Sequence, residues 1–242
     1  MPRFSIIGTM LFVFFFFTIG FSRFQIQENR PPVVKIVTPT TNSTFSWSSI
    51  IPYAIHVLDD EDGNSEYDEI NPTEVLLVVK YLKSPSEIKS YLTNESNTDY
   101  SSLVQMSRST CFNCHRAKGT LIGPSFELIA AKYQKNPKTI EYLTEKIING
   151  GTSIWSDEKM PPHPDLKVAQ VQEMVHWILE NNSDPDKNYL AGIEGTIKTK
   201  EQPASTHEKS VLVLTARYTD QGLNKQRLYS KQTQNTLILK SN

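Results

Sequence analysis

The two cysteines of this 242-residue chain stand in one five-residue run, Cys111-Phe112-Asn113-Cys114-His115, which limits the fold more than any other feature. Thiols this close cannot staple distant segments together, so a disulfide scaffold is excluded. Two cysteines separated by two residues and followed at once by an imidazole can add to the two vinyl groups of one haem while the histidine takes an axial iron position. Three other readings compete. A thioredoxin-type pair needs a βαβ setting that the surrounding sequence lacks. A structural zinc site needs four ligands, and there is no second cysteine pair. A plain disulfide has no use for the histidine. Haem is the reading these residues favour.

The N-terminus agrees with it. Residues 4–21 are uncharged and mostly apolar, flanked by Arg3 and Arg23, which is the pattern of an export signal. The run also lies at the short end of the roughly 17–25 residues that span a bilayer core, so an uncleaved anchor and membrane association through residues 4–21 form a second reading. Gly20 and Ser22 offer a poor cleavage site, and neither cysteine is near enough to take a lipid. Thioether attachment of haem is completed outside the cytoplasm, and the expected location is periplasmic or otherwise extracytoplasmic.

Periodicity divides the rest. Strand-like runs at Val33–Val37, Tyr53–Val57 and Val75–Val79 are separated by turn-rich stretches. Helical spacing governs Leu103 to Asn181, and strand-like runs return at Val211–Leu214 and Thr236–Leu239. The expected organisation is a signal or anchor at 1–30, a small β-sandwich at 31–83, a linker at 84–100, an all-α domain at 101–183 and a C-terminal β segment at 184–242. Residues 31–95 carry a net charge of -6 and residues 184–242 one of +3, so the two β segments are expected to attract each other. The whole chain is near neutral, at -1. That leaves no electrostatic footprint for nucleic acid.

Within the helical part, Met106, Met160, Met174, His163 and His176 are the candidates for a second axial ligand opposite His115. Met174 lies on a core stripe with Val171, Val175 and Ile178, while Met106 is too close in sequence to His115 to cross to the opposite haem face. Met160 sits before Pro161-Pro162 on a stiffened loop between two helices, a good way to present a thioether. Asn136-Pro137 starts one helix and Gly150-Gly151 stops it, and Asp165 is expected to cap the last.

These motifs in order, Cys111-Phe112-Asn113-Cys114-His115, Gly123-Pro124-Ser125-Phe126, Ile147-Ile148-Asn149-Gly150-Gly151, Trp155, Met160-Pro161-Pro162 and Trp177, resemble a class I cytochrome c of the short monohaem bacterial type over residues 100–182. The resemblance implies one covalent haem c, with His115 and Met160 as iron ligands and Cys111 and Cys114 as its attachment. It further implies a Pro124 carbonyl that fixes the His115 ring and a Trp155 near a haem propionate. It departs at Ser107-Arg108-Ser109-Thr110, more polar than expected for the approach to the motif.

Ahead of this region, Val57-Leu58-Asp59-Asp60-Glu61-Asp62-Gly63 and the strand after it resemble an immunoglobulin-like module of the polycystic-kidney-disease type. The acidic turn is either solvated or a source of oxygen ligands for calcium. The tail around Val213–Gly222 is similar to the β segment following the cytochrome in large secreted bacterial proteins resembling sugar dehydrogenases. This chain has no room for their propeller, so the resemblance implies a separate redox partner such as a dehydrogenase or terminal oxidase. Arg108, Arg116 and Lys118 form either a basic rim for docking or a solvated face.

The expected activity is single-electron transfer, with no catalytic residues. Two rivals remain: a haem enzyme or ligand sensor with an exchangeable sixth position, and a surface or carbohydrate-binding protein in which haem is secondary.

Overall fold

The computed structural model describes residues 28–242, apart from 153, 156, 204–209 and 227–228. The apolar run at residues 4–21 lies outside these, and among the described residues no helix is long and apolar enough to cross a membrane.

Two sheets face each other. The first holds β1 (Val33–Thr38) against β3 (Ile50–Asp59), whose other side pairs with β4 (Gly63–Asn64) and β7 (Glu194–Lys198). The second runs β2 (Thr44–Phe45), β9 (Gln232–Ser241), β8 (Val211–Thr219), β5 (Leu76–Leu82), β6 (Lys187–Ala191). Alternation decides what each strand contributes: Val34 and Ile36 of β1, and Ile51, Tyr53, Ile55 and Val57 of β3, point into a shared core with Leu77, Val79, Leu212, Leu214 and Leu239. Burying each such side chain contributes about 1.5–3 kcal/mol.

Both sheets therefore mix strands from either side of the helical region. The division into a sandwich at 31–83 and a separate segment at 184–242 differs from the observed pairing, because β6 and β8 flank β5 and β7 flanks β3. Period-2 patterning identifies strands but does not say which partner completes a sheet. Contact between the two oppositely charged segments is present throughout.

Helices fill the stretch between β5 and β6. They are α1 (Ile88–Ser96), α2 (Ser101–Arg108), α3 (Phe126–Lys132), α4 (Pro137–Asn149) and α5 (Val168–Glu180). The first occupies the expected linker: Ile88, Tyr91 and Leu92 pack against Leu82, Val211 and Val213, and that tertiary packing carries a helix whose polar sequence signals none. Asn136 accepts the Thr139 N–H at 3.0 Å with Pro137 in the first turn, and Gly150 ends α4 at φ 66°. Lys167, not Asp165, is the residue at the start of α5.

The helices sit on the outer face of the second sheet. Leu76 and Val78 of β5 and Tyr189 of β6 share a core with Leu103, Met106, Phe126, Met174 and Trp177.

Candidate functional site

A cavity of about 350 Å³ opens between α2, α3, α4, α5 and the loop after α4, a size within the range of about 300–1,000 Å³ for cofactor pockets. Cys111, Cys114, His115, Pro124, Trp155 and Met160 all line it, as do Met106, Met174 and His163. Residues read as candidates from sequence are thus brought to one place. His176 is outside this lining, half-exposed beside Glu180.

His115 is held on three sides. Its Nδ1–H donates to the Pro124 carbonyl at 2.7 Å, which leaves the Nε2 lone pair free because a carbonyl can only accept. Phe126 stacks on the ring at 5.7 Å and 20°. Gly123 lies so close that a Cβ there would come within 2.5 Å of His115 Cε1, so a hydrogen is all the loop tolerates. Burial pushes the His115 pKa down, against the Pro124 hydrogen bond and helped by His163, so the ring is neutral near neutral pH.

Cys111 opens a single turn of 3-10 helix, Cys111–Asn113, and Cys114 caps it, with the His115 N–H returning to the Cys111 carbonyl at 2.9 Å. Thr110 enters this turn at φ 60°. Both cysteines are free, and burial pushes the Cys111 thiol up to about 11, which keeps it protonated.

Met160 is fixed by the backbone. It exchanges two hydrogen bonds with Gly151, at 2.8 and 3.0 Å, and the His163 N–H reaches the Ile147 carbonyl at 3.1 Å. A Cβ on Gly150 would come 2.5 Å from the Met160 carbonyl. The double glycine therefore both ends α4 and lets the methionine loop fold back over it.

Sequence reasoning did not place Tyr133, Tyr142 and Lys146 at the cavity. Tyr142 and Lys146 lie four apart on α4 and so share a face, a signal that was available. Lys132 lies 5.5 Å from the Trp155 ring centroid. The basic rim does not form as drawn, since Arg108 is buried in an ion pair with Glu74 and Lys118 donates to the Asp184 carbonyl at 2.8 Å, leaving Arg116 exposed.

Comparison with known proteins bears on this geometry. The cytochrome c family model matches residues 104–182. Cytochrome c-551 of Allochromatium vinosum is 32% identical over 77 residues, 32% of this chain and 82% of the relative. This chain belongs to the cytochrome c family. Cytochrome c-552 of Hydrogenobacter thermophilus is 33% identical over 69 residues, covering 28% of this chain and 69% of the relative. The crystal structure of Nitrosomonas europaea cytochrome c552 is 31% identical, covers 31% of this chain and 93% of its own, and superposes with a TM-score of 0.30. A class I cytochrome c domain thus occupies 104–182 of a multidomain chain, with substantial β-sheet among the other described residues. Its cofactor is covalently attached haem c, and its role as a cytochrome is electron transfer with redox partners.

Proposed function

We propose that this protein is an exported, periplasmic monohaem cytochrome passing single electrons between redox proteins, its haem attached through Cys111 and Cys114 and ligated by His115 and Met160. The convergence of these four side chains on the walls of one largely apolar cavity carries the reading. The residues present suit the group: two unpaired thiols on one turn, an imidazole with a free Nε2, and a thioether on a braced loop.

Bound haem supplies a one-electron ferric/ferrous couple. The chain does the rest. Pro124 orients His115 and fixes its tautomer, which strengthens the Nε2 donor. Phe126 and Gly123 stop the ring from turning. The Gly151–Met160 bridge and Pro161-Pro162 keep the thioether in place, so little rearranges when charge changes. Apolar walls from Ile129, Leu143, Ile147 and Val175 exclude water, which favours the less charged, reduced state. Trp155, on the cavity wall, serves as the contact to a haem propionate.

The segment at 4–21 acts in this reading as the export signal or as an anchor. The β-sandwich is an immunoglobulin-like mount of the polycystic-kidney-disease type, and the partner is a separate dehydrogenase or terminal oxidase.

An absorption spectrum of the reduced haem-loaded protein, before and after carbon monoxide, tests the assignment. A c-type spectrum indifferent to the gas is expected, and Met160→Ala should admit it. His163, on the same cavity wall, favours one alternative, a ligand sensor or haem enzyme; a wild-type spectrum shifted by carbon monoxide would establish an exchangeable position and displace the electron-carrier reading.

A further inference from the structure

Three distant segments meet at one end of the sandwich. Asn29 Nδ2 donates to Asp220 Oδ2 at 3.0 Å, and Arg30 pairs with Asp60 at 2.8 Å. Asp62 Oδ2 accepts the Tyr218 hydroxyl at 2.7 Å and the Gln221 N–H at 2.8 Å. These contacts pack the entering chain, the turn after β3 and the end of β8 against each other.

Donors and acceptors do not balance there. Asp59 and Asn29 are only 4% and 3% exposed. Asp59 Oδ1 accepts the N–H groups of Glu61 and Asp62 at 3.0 and 2.7 Å, and Asn29 Nδ2 is used twice, donating also to the Tyr229 carbonyl. Yet Asp59 Oδ2, Glu61 Oε2 and Asn29 Oδ1 have no hydrogen-bond partner among the described residues. All three are acceptor oxygens. Buried polar atoms are nearly always satisfied, and a bare carboxylate oxygen is costly. Among the described residues, Arg30 is engaged with Asp60, Lys231 with Glu28, and Arg108 with Glu74 and the carbonyls of Thr219 and Asp220.

We propose that Asp59, Glu61 and Asn29 contribute to a binding site for calcium. No three Asp, Glu, His or Cys side chains form a ready-made metal cage among the described residues, so the donor set is mixed: two carboxylates, one amide, and main-chain carbonyls and water to complete it. Calcium accepts six to eight oxygens in flexible geometry, including amides and carbonyls. Magnesium demands a tight octahedron, and zinc prefers nitrogen and sulfur. Asn29 comes from the entering chain and is tied to Asp220, so a bound ion would pin that chain to the turn and to β8.

The test uses the haem-loaded full chain, stripped with EDTA and melted in rising CaCl2 or MgCl2 up to about 10 mM, tenfold above the weakest class of extracellular sites. The expected result is a saturable rise in Tm of several degrees with calcium and a smaller one with magnesium. Asp59→Asn keeps the oxygen that the Glu61 and Asp62 N–H groups need but removes the charge, and should abolish most of the rise. No shift with calcium overturns the site, as does an equal shift with magnesium or an undiminished one in Asp59→Asn. If that variant fails to fold, calorimetric titration of the wild type decides: about one calcium per chain supports the site, and no binding heat at any temperature tried overturns it.

Discussion

Replacing Glu95 by alanine should loosen the cytochrome region and the sandwich together. Glu95 lies on α1 with its side chain 3% exposed, facing Lys187 at 2.9 Å and Arg217 at 3.3 Å, themselves 14% and 4% exposed. It also accepts the Tyr100 hydroxyl, and Arg217 lies 4.1 Å from the Tyr100 ring centroid. Alanine would strand two buried cations, a loss of about 3–5 kcal/mol. At roughly 2–4 °C per kcal/mol for a chain of this size, Tm should fall by about 6–20 °C. The sign with pH follows from the carboxyl. Burial alone would raise its pKa, but the hydrogen bonds from Tyr100 and Lys187 and the charges of Lys187 and Arg217 outweigh that and hold it below 4.5. A depressed folded pKa means stabilisation that is complete above the unfolded value and lost as pH falls through the folded one. The gap between wild type and variant should therefore be full at neutral pH and shrink once the pH drops below 4.5. Thermal melts followed by far-ultraviolet circular dichroism and by Soret absorbance measure both units at once. A drop under about 2 °C, below what 1 kcal/mol would produce, or a gap that persists unchanged into acid, would refute the reasoning.

Gly123→Ala would drive a methyl into the His115 ring, 2.5 Å from Cε1 and 2.8 Å from Nδ1. The yield of haem-loaded protein should fall, and its Soret band should shift; an unaltered spectrum at full yield would show that the ring does not depend on this contact. Leu103 is fully buried between α5 and the sheet, so Leu103→Ala should cost about 2–5 kcal/mol by urea denaturation, and a loss under 1 kcal/mol would count against that packing. Arg108→Ala removes an ion pair to Glu74 and two bonds, at 2.9 and 2.7 Å, to the carbonyls of Thr219 and Asp220. It should destabilise by about 3 kcal/mol, with Arg108→Lys rescuing only part because an ammonium lacks the guanidinium fork; full rescue by lysine would sink the geometric argument.

Cys111, Cys114, His115, Pro124 and Met160 were legible at the cavity because each carries its reason locally. A thiol pair with an adjacent histidine, a glycine before a proline, a double glycine ending a helix and a methionine before two prolines are short-range signals. The mount was not legible, for the opposite reason. Arg108 looks from sequence like a surface charge beside the motif, yet its partners are remote: Glu74, 34 residues upstream, and the carbonyls of Thr219 and Asp220, 111 and 112 residues downstream. Its buried role also accounts for the arginine within the polar approach Ser107-Arg108-Ser109-Thr110. Glu95 sits in a Ser- and Asn-rich stretch that composition marks as linker, and it becomes a hub only once Lys187 and Arg217 are paired beside β5.

The strand β5 explains how one chain supports both units. Antiparallel pairing of Lys80 with Lys187 places the two ends of the helical region side by side, so residues 83–186 leave and re-enter the sheet as the connection of one long hairpin. A domain whose ends are already close can occupy such a connection at little extra entropic cost, since closure rises only logarithmically with length. The run Val75-Leu76-Leu77-Val78-Val79 is apolar throughout rather than alternating because both its faces are covered: Leu77 and Val79 enter the sandwich core, while Leu76 and Val78 enter the core beneath the cavity. One strand thus serves two cores through its period of two: its outer face packs against α5, while Glu95 fastens α1 and Arg108 fastens α2 to the sandwich. That fastening covers one side of the cytochrome domain. Ile122 and Ile154 are not covered by it and stand exposed at the cavity wall.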